Sequence, residues 1–326
     1  MHAAVCLAIA AVFLASCGND DGADVRELPG DGDASASGAS VSGSAAGSGS
    51  GSASGLSAAE LDATTDNPLV DEALAAYADY VGEQVDVLVV ATTTFTDAVR
   101  AGDLEAARAA YAPSREPWER IEPIAGLVES IDVAVDARVD DFAGTADPAF
   151  TGWHRLEYLL WVEGTTDGGA AFADQLDADL ARLRTAMAEL DLPPAAVALG
   201  AAELIEEVSE GKITGEEDRY SKTDLWDFSA NVEGAQEVIR FLTPALQEAD
   251  PTLLARIEAG FAELGGSLDE LRDGDGFVLF CPEHNVFPSE QCTETTVTQG
   301  QIDTMKAQLA ALSEDLALVP GTLGLS

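Results

Sequence analysis

Apolar residues recur at spacings of three and four along most of the chain after residue 68, which is the period of one face of an α-helix. The pattern is clearest in residues 70–99, where the apolar positions are Leu74, Tyr77, Val81, Val85, Leu88, Phe95 and Val99. It predicts a helix over this range. Gly102 is expected to end that helix, and Asp103 to cap the next one.

Prolines interrupt the second helical stretch, which is expected over residues 103–128. They are Pro113, Pro117 and Pro123. Because proline lacks an N–H and clashes with the preceding turn, we expect a kink near Glu119 and Glu122. Residues 130–150 are polar and acidic without a sustained period, so they are expected to form a long loop. Loops of that length in compact domains are usually functional.

The helical period returns in the second half of the chain and persists almost to its end. Helices are predicted over residues 152–162, 170–190, 194–210, 224–246, 251–272 and 299–318. No stretch alternates apolar and polar residues as a strand would. About seven or eight helices are more than one four-helix bundle holds. The sequence therefore predicts an all-α fold of two packed four-helix bundles.

The N-terminal residues have a different character. Residues 3–15 form an apolar run that is too short for an ordinary membrane-spanning helix but suits the core of a signal peptide. The run ends in Leu-Ala-Ser-Cys at residues 14–17, which resembles a bacterial lipobox. We expect residues 1–17 to be a lipoprotein signal peptide and Cys17 to be lipidated. An ordinary signal peptide cleaved nearby is the alternative.

Residues 18–57 consist mainly of Gly, Ser, Ala and Asp. Such a segment cannot offset its ordering entropy by burying apolar surface, so a disordered, flexible tether is expected. Residues 58–326 are then the helical domain. Together these features predict an exported protein, held by its lipid on the outer face of the cytoplasmic membrane or in the periplasm.

The charge balance is strongly acidic. The chain carries 16 Lys and Arg against 59 Asp and Glu, a formal net charge of −43. This excludes a nucleic-acid backbone as a partner. It is compatible with attraction of cations, but a solvated acidic surface explains most acids equally well. Charge alone identifies no site.

Two pairs of metal-ligand side chains stand out in the helical pattern. His154 is followed three residues later by Glu157, so both side chains leave one face of a helix. Glu119 and Glu122 repeat this spacing on another helix. Paired ligands on separate helices can enclose a cation in a bundle core. A single histidine in a helix is more often packed than ligating, so the hypothesis depends on the pairing.

Cys281 and Cys292 lie in a region without helical period. In an exported protein, a disulfide closing this small loop is expected. The alternative is a metal site made of Cys281, His284 and Cys292. It lacks the fourth ligand of a structural zinc site.

Two long segments, residues 106–161 and 211–236, resemble the imelysin-like family, in particular its exported iron-uptake members of the EfeO/EfeM type. The motifs are Trp-Glu-Arg-Ile-Glu-Pro at 118–123, Val-Asp-Ala-Arg at 135–138, Trp-His-Arg-Leu-Glu at 153–157 and Gly-Glu-Glu-Asp-Arg-Tyr at 215–220. The similarity extends over most of residues 68–320. It implies a fold of two four-helix bundles, in agreement with the helix count.

The resemblance also implies a metal site. Its ligands would be His154, Glu157, Glu119, Glu122, Asp136 and Glu217. Asp132, Glu216 and Asp218 are neighbours that the sequence does not separate from these. Arg115 and Arg138 are expected to hold some of the acids in place. A carboxylate-rich set with one imidazole suits Fe(II), Fe(III) or Mn(II), and Zn(II) or Cu(II) could also bind.

The function implied is that of an iron-binding lipoprotein, and not an enzyme. It would pass the ion to an Efe-type iron permease and work beside a haem peroxidase. Longer members have an N-terminal cupredoxin domain, in whose place this chain has the lipobox and the tether. One alternative is an exported metallopeptidase, although a His-Glu-x-x-His motif is missing.

The other alternative is a polysaccharide-binding surface protein with an aromatic platform. The aromatic residues concerned are Trp153, Trp161, Trp226 and Phe228. Their helical spacing is more typical of a core.

Overall fold

Helices form most of the chain that the structure describes. The computed structural model describes residues 65–325. The predicted signal peptide (1–17), Cys17 and the predicted tether (18–57) lie outside the described residues. Within residues 65–325, no helix has both the length and the apolar character needed to cross a bilayer.

The α-helices are α1 (Pro68–Ala101), α2 (Leu104–Glu119), α3 (Glu129–Asp136), α4 (Gly152–Trp161), α5 (Ala170–Glu189), α6 (Pro194–Glu210), α7 (Asp224–Ala249), α8 (Pro251–Asp269), α9 (Gln299–Leu316) and α10 (Val319–Leu323). Short 3-10 helices occur at Glu122–Val128, Val139–Asp141 and Lys212–Thr214. Two-residue strands β1 (Arg272–Asp273) and β2 (Gly276–Phe277) pair in an antiparallel hairpin.

The limits of α1 and α2 follow from their capping residues. The Asn67 side chain accepts a hydrogen bond from Leu69 N at 3.0 Å and starts α1. Gly102 ends it with φ of 76°, a left-handed conformation that glycine adopts without a steric cost. The Asp103 carboxylate then accepts from Ala106 N at 3.0 Å and starts α2. The predicted limits between the two helices are confirmed.

The helices pack as two bundles. In the first, α1 packs against α2 and α5, and α4 closes the group by packing against the same two helices, while α3 lies on α4 and α5. In the second, α6, α7, α8 and α9 form a ring in which each helix packs against two others. Helix α7 also packs against α1 and α2 and so joins the bundles. The predicted all-α fold of two packed four-helix bundles is confirmed.

The second helix is shorter than expected. Pro113 and Pro117 lie inside α2, but the helix ends at Glu119 and a 3-10 helix follows over Glu122–Val128. The expectation of one kinked helix to residue 128 is therefore wrong. Pro123 stands in the first turn of the 3-10 helix, where its missing N–H costs nothing.

The loop expected over residues 130–150 begins as a helix instead. Helix α3 occupies Glu129–Asp136 and buries Ile131, Asp132, Val135 and Asp136. Two of these buried residues are acids, so the apolar period that would have indicated a helix is broken. Residues 137–151 then form the connection to α4, including the 3-10 helix.

A close backbone contact fixes α4 against α3. Gly152 has φ of 75°, and a Cβ at this position would lie 2.1 Å from the carbonyl oxygen of Val135. Only glycine fits so near another backbone in that conformation. As a result, His154 in the first turn of α4 lies beside Asp136 at the end of α3.

Candidate metal centre

The predicted ligands come from separate elements that meet in the interior. Helix α2 supplies Glu119, the 3-10 helix after it Glu122, α3 Asp136, and α4 both His154 and Glu157. The turn before α7 supplies Glu217. All six side chains are buried. They form one connected cluster that has two parts.

The first part surrounds His154, and we call His154, Asp136, Glu157 and Glu217 the histidine part. Nε2 of His154 lies 3.5 Å from Asp136 Oδ1 and 3.4 Å from Glu217 Oε1. Nδ1 lies 3.4 Å from Glu157 Oε2. Nε2 makes no hydrogen bond of good geometry with any described residue. Each ring nitrogen therefore has carboxylate oxygens close to it.

Backbone and side-chain donors orient Glu157. Its Oε1 accepts hydrogen bonds from Tyr220 N at 2.9 Å, Ser221 N at 2.7 Å and Ser221 Oγ at 2.8 Å. These bonds leave Oε2 directed at His154. A carboxylate held in this way is preorganised for a ligand.

Arg115 connects several acids of the cluster. Its fully buried guanidinium donates through Nη2 to Glu119 Oε1 at 2.6 Å and to Glu217 Oε1 at 3.0 Å. Nη1 pairs with Asp136, and the group lies over the Trp153 ring at 5.6 Å. Arg138 pairs with Glu217. The two arginines thus contact the acids they were expected to hold.

The second part is built around a lysine, and we call Glu119, Glu122, Lys212 and Asn231 the lysine part. Lys212 Nζ donates to both oxygens of Glu122 at 2.8 Å and to Glu119 Oε2 at 3.2 Å. Asn231 Nδ2 donates to Glu119 Oε2 at 2.9 Å and to Glu122 Oε2 at 2.6 Å. Glu119 and Glu122 therefore lie against an internal ammonium and an amide, not against His154.

The structure separates the neighbouring acids that the sequence left together. Asp218 accepts a hydrogen bond from Tyr111 Oη at 2.8 Å. One of its carboxylate oxygens lies within 4.8 Å of a ring nitrogen of His154 and of a carboxylate oxygen of Glu157. Glu216 Oε1 lies 3.6 Å from Arg138 Nη2. Among the described residues, Glu216 is in no set of three potential metal ligands whose donor atoms lie within 4.8 Å of one another. Asp132 is buried on α3 and is likewise in no such set.

Several cluster members were missed by the sequence reasoning. These are Tyr111, Lys212, Asp227 and Asn231. Asp227 accepts a hydrogen bond from Arg115 Nε at 3.1 Å, and one of its oxygens lies within 4.8 Å of carboxylate oxygens of Glu119 and Glu217. All four lie within residues 106–161 or 211–236, the two segments that resemble the imelysin-like family. The resemblance was therefore the one feature of the sequence that could have indicated these residues.

Burial and neighbouring charges set unequal proton affinities. Burial opposes a charge on Asp136, but Arg115 and His154 outweigh it and lower the pKa of Asp136. Burial and Arg115 oppose a charge on His154, and the facing acids Asp136, Glu157 and Glu217 overcome them, so the pKa of His154 is raised well above its usual value.

Glu217 behaves like Asp136, because Lys212 and Arg138 lower its pKa against the effect of burial. Other acids show the opposite shift. Burial raises the pKa of Asp218 to about 6. Burial also raises the pKa of Glu119 well above its usual value, although Lys212 opposes this effect. Ionised and proton-holding groups are therefore mixed in one buried volume.

The disulfide loop supports the segment that holds Glu157. Cys281 and Cys292 form a disulfide with a Cα–Cα distance of 5.4 Å, and His284 is exposed nearby. Within the loop, Ser289 Oγ donates to Tyr220 O at 2.8 Å. Just before the loop, Phe280 N donates to Lys222 O at 2.8 Å. With both sulfurs in the disulfide, this loop offers no thiolate ligands.

Fold and site together define an all-α protein of two bundles with a buried histidine–carboxylate cluster. The family model described as imelysin, peptidase M75, matches residues 73–319. The chain belongs to the imelysin family, and the resemblance found in its sequence is confirmed.

Curated relatives are similar to most of the chain. "Iron uptake system component EfeO" from Escherichia coli K12, from Escherichia coli O157:H7 and from Shigella flexneri are each 46% identical to this chain over 254 residues. The alignment covers 78% of this chain and 64% of each relative. The chain thus spans a little under two thirds of the length of these relatives.

Proposed function

We infer that the protein is an exported iron-binding component of an uptake system, which captures the ion at the histidine part of the cluster. The observation that carries this proposal is the arrangement around His154, whose two buried nitrogens both lie within 3.5 Å of carboxylate oxygens. Such a donor set suits Fe(II), Fe(III) or Mn(II), and accepts Zn(II) or Cu(II) as well. The names of the EfeO relatives support iron as the cargo.

In this proposal His154, Glu157, Asp136 and Glu217 bind the ion directly. Glu119 and Glu122, which lie in the adjoining lysine part, complete the ligand set that the resemblance implies. Arg115 and Arg138 position the acids, since each contacts a carboxylate of the set. Such supporting contacts typically change metal affinity by about 10–100-fold when they are removed.

In this proposal the N-terminal residues place the domain where it can pass on the ion. Cys17 would carry the lipid, residues 18–57 would act as the tether, and the domain would work on the outer face of the cytoplasmic membrane. From there it would pass the ion to an Efe-type permease, with a haem peroxidase as a further partner. The resemblance to iron-uptake proteins supports these partners, and the protein itself would not be an enzyme.

The two alternatives have weaker support. The peptidase designation of the family favours a metallopeptidase, but His154 is the only histidine among the described residues of the cluster. A polysaccharide platform needs exposed aromatic faces, whereas Trp153 and Phe228 are buried. Trp161 and Trp226 are half-buried and packed against the core.

The test is calorimetric titration of the purified full chain with Fe(II) under anoxic conditions, and with Mn(II), Zn(II) and Cu(II). We expect tight binding near one equivalent, and a loss of more than about 100-fold in affinity in His154→Ala, beyond what supporting contacts contribute. His284→Ala is the matched control, because it removes an exposed histidine.

A second matched pair tests the carboxylates. Glu217→Gln should weaken binding strongly, whereas Glu216→Gln next to it should leave binding nearly unchanged. Weak binding of many ions that His154→Ala does not alter would mean that only the acidic surface attracts cations. Cleavage of a peptide that His154→Ala abolishes would favour the metallopeptidase.

A further inference from the structure

Two of the predicted ligands depend on one short piece of backbone, residues 215–222, which we call the ligand segment. It supplies Glu217, and its Tyr220 and Ser221 amides donate to Glu157 Oε1 at 2.9 and 2.7 Å. These residues form turns between the 3-10 helix at Lys212–Thr214 and α7. A turn has no ladder of helical hydrogen bonds, so its position depends on what packs against it.

A much later part of the chain, residues 280–292, packs against both ends of the ligand segment, and we call it the strap. The buried Phe280 ring lies on Gly215, where an added Cβ would be 3.1 Å from Cδ1 of the ring. At the other end, Phe280 N donates to Lys222 O at 2.8 Å. Lys222 is fully buried and has φ of 67°, a left-handed conformation that a residue with a side chain keeps only where its surroundings hold it.

The strap also contacts the middle of the ligand segment. Ser289 Oγ donates to Tyr220 O at 2.8 Å, next to the amide that serves Glu157. The guanidinium carbon of Arg219 lies 4.6 Å from the centre of the Phe287 ring. The strap therefore holds the ligand segment along its whole length.

The disulfide fixes the strap in this position. Cys281 is 2% exposed, and its carbonyl oxygen accepts a hydrogen bond from Thr296 N at 3.0 Å. Cys292 N donates to Ser289 O at 3.1 Å, so the bond between the sulfurs ties the turn that carries Ser289 to an anchored residue. Between the cysteines, side chains such as that of Val286 are exposed. Little burial would hold this loop without the disulfide.

We propose that the strap is a positioning device for the metal centre and that the Cys281–Cys292 disulfide sets the metal affinity through it. Among the described residues, no group of potential metal ligands includes a residue of the strap. Its effect passes through the ligand segment to Glu157 and Glu217. This role rests on the metal binding proposed above.

The chemical reason is that contacts which orient ligands change metal affinity, typically by about 10–100-fold when they are removed. A dithiol reductant opens the strap by donating two electrons and two protons. The S–S bond breaks, two thiols form, and the reductant becomes a disulfide. Affinity would then follow the redox state of a bond between two residues that bind no metal.

The first test is calorimetric titration of the full chain with Mn(II), an ion that prefers oxygen to sulfur ligands. Cys281→Ser combined with Cys292→Ser removes the disulfide and leaves no thiol in the strap. We expect Mn(II) binding to weaken by about 10–100-fold. Unchanged affinity would overturn the proposal.

Reduction of the parent protein tests the same bond reversibly. Treatment with dithiothreitol, followed by its removal under anoxic conditions, should reproduce the loss of affinity, and reoxidation should restore it. The double serine variant should respond to neither step. A parent protein that keeps its affinity when reduced would contradict the proposal.

Single variants test the contacts of the strap. Phe287→Ala should weaken Mn(II) binding by about tenfold, at the lower end for supporting contacts. Val286→Ala is the matched control, because this neighbouring side chain is 68% exposed. Equal losses in the two variants would show that the contact with Arg219 does not transmit the effect.

Hydrogen exchange of the metal-free protein keeps this proposal separate from the proposed function. The Tyr220 and Ser221 amides should lose protection in the double serine variant, whereas α1 and α8 should exchange as in the parent. If the parent binds no Mn(II) but the exchange changes as expected, the proposed function fails and the positioning of Glu157 by the strap stands. Unchanged exchange of the two amides would overturn the positioning role. An equal rise along the whole chain would overturn it too, since the disulfide would then serve only global stability.

Discussion

Protons and metal ions compete for the same atoms at the level of single residues. The pKa of His154 is raised well above its usual value, so the imidazole of the metal-free protein carries a proton at neutral pH. A metal ion binds the neutral ring, and the proton must leave. Asp218, with its pKa raised to about 6, adds a second group that releases its proton just below neutrality.

We therefore predict that metal binding at pH 7 releases protons and that affinity rises between pH 6 and pH 8. Each proton released corresponds to about a tenfold gain in affinity per pH unit. The measurement is the apparent binding enthalpy in buffers of different ionisation enthalpy. Affinity that is constant over this pH range would show that His154 is already neutral in the free protein.

Some residues of the site could be found from sequence and others could not. His154 and Glu157 share a helix face, so their spacing alone indicates that they lie together. Lys212 and Glu122 are separated by 90 residues and meet only because two helical bundles pack. No local pattern contains that information, and the lysine was therefore missed.

At the level of elements, the contact between α3 and α4 determines how Asp136 faces His154. We predict that Gly152→Ala destabilises the fold by more than the roughly 1–3 kcal/mol that a positive φ costs a residue with a side chain. The added Cβ would lie 2.1 Å from Val135 O and push the two helices apart. Metal affinity should fall as well, because the two ligands separate.

Gly82→Ala is the matched control for this substitution. Gly82 is exposed in α1, and a Cβ there meets no atom within 4 Å. Alanine should stabilise the protein by about 0.4–1 kcal/mol at such a helical position. Thermal unfolding followed by circular dichroism measures both variants. Equal stability of Gly152→Ala and the parent would show that α3 and α4 can separate without loss.

The sequence predicted helices correctly where their buried side chains are apolar, and it failed to predict a helix where buried side chains are acidic. Helix α1 shows the expected period because its inward positions are mostly Val, Leu, Tyr and Phe. Helix α3 turns two acids inward and covers only Glu129–Asp136, so its period is hidden by the residues that serve the cluster. Sequence reasoning was thus least reliable near the site.

The whole molecule carries a formal net charge of −43. Repulsion between surface acids opposes the compact state, and salt screens it, since the Debye length falls from about 30 Å at 0.01 M to about 8 Å at 0.15 M. We predict that the melting temperature rises with sodium chloride over this range. Each kcal/mol of relieved repulsion corresponds to roughly 2–4 °C for a domain of this size.

Differential scanning calorimetry at several salt concentrations measures this effect. His154→Ala serves as the control, because a response of the folded surface should be the same without the histidine. A melting temperature that falls with salt would show that favourable surface pairs, such as Arg256 with Asp315, outweigh the repulsion.

The burial of the cluster has a consequence for rates. Every predicted ligand side chain is at most 6% exposed, so an ion cannot reach or leave His154 through the closed structure. Exchange must wait for a local opening, and its rate is the frequency of that motion multiplied by the chance of capture before the protein closes again. Two proteins with equal affinity could then load iron at very different speeds, because affinity depends on the ligands and speed depends on the elements that cover them.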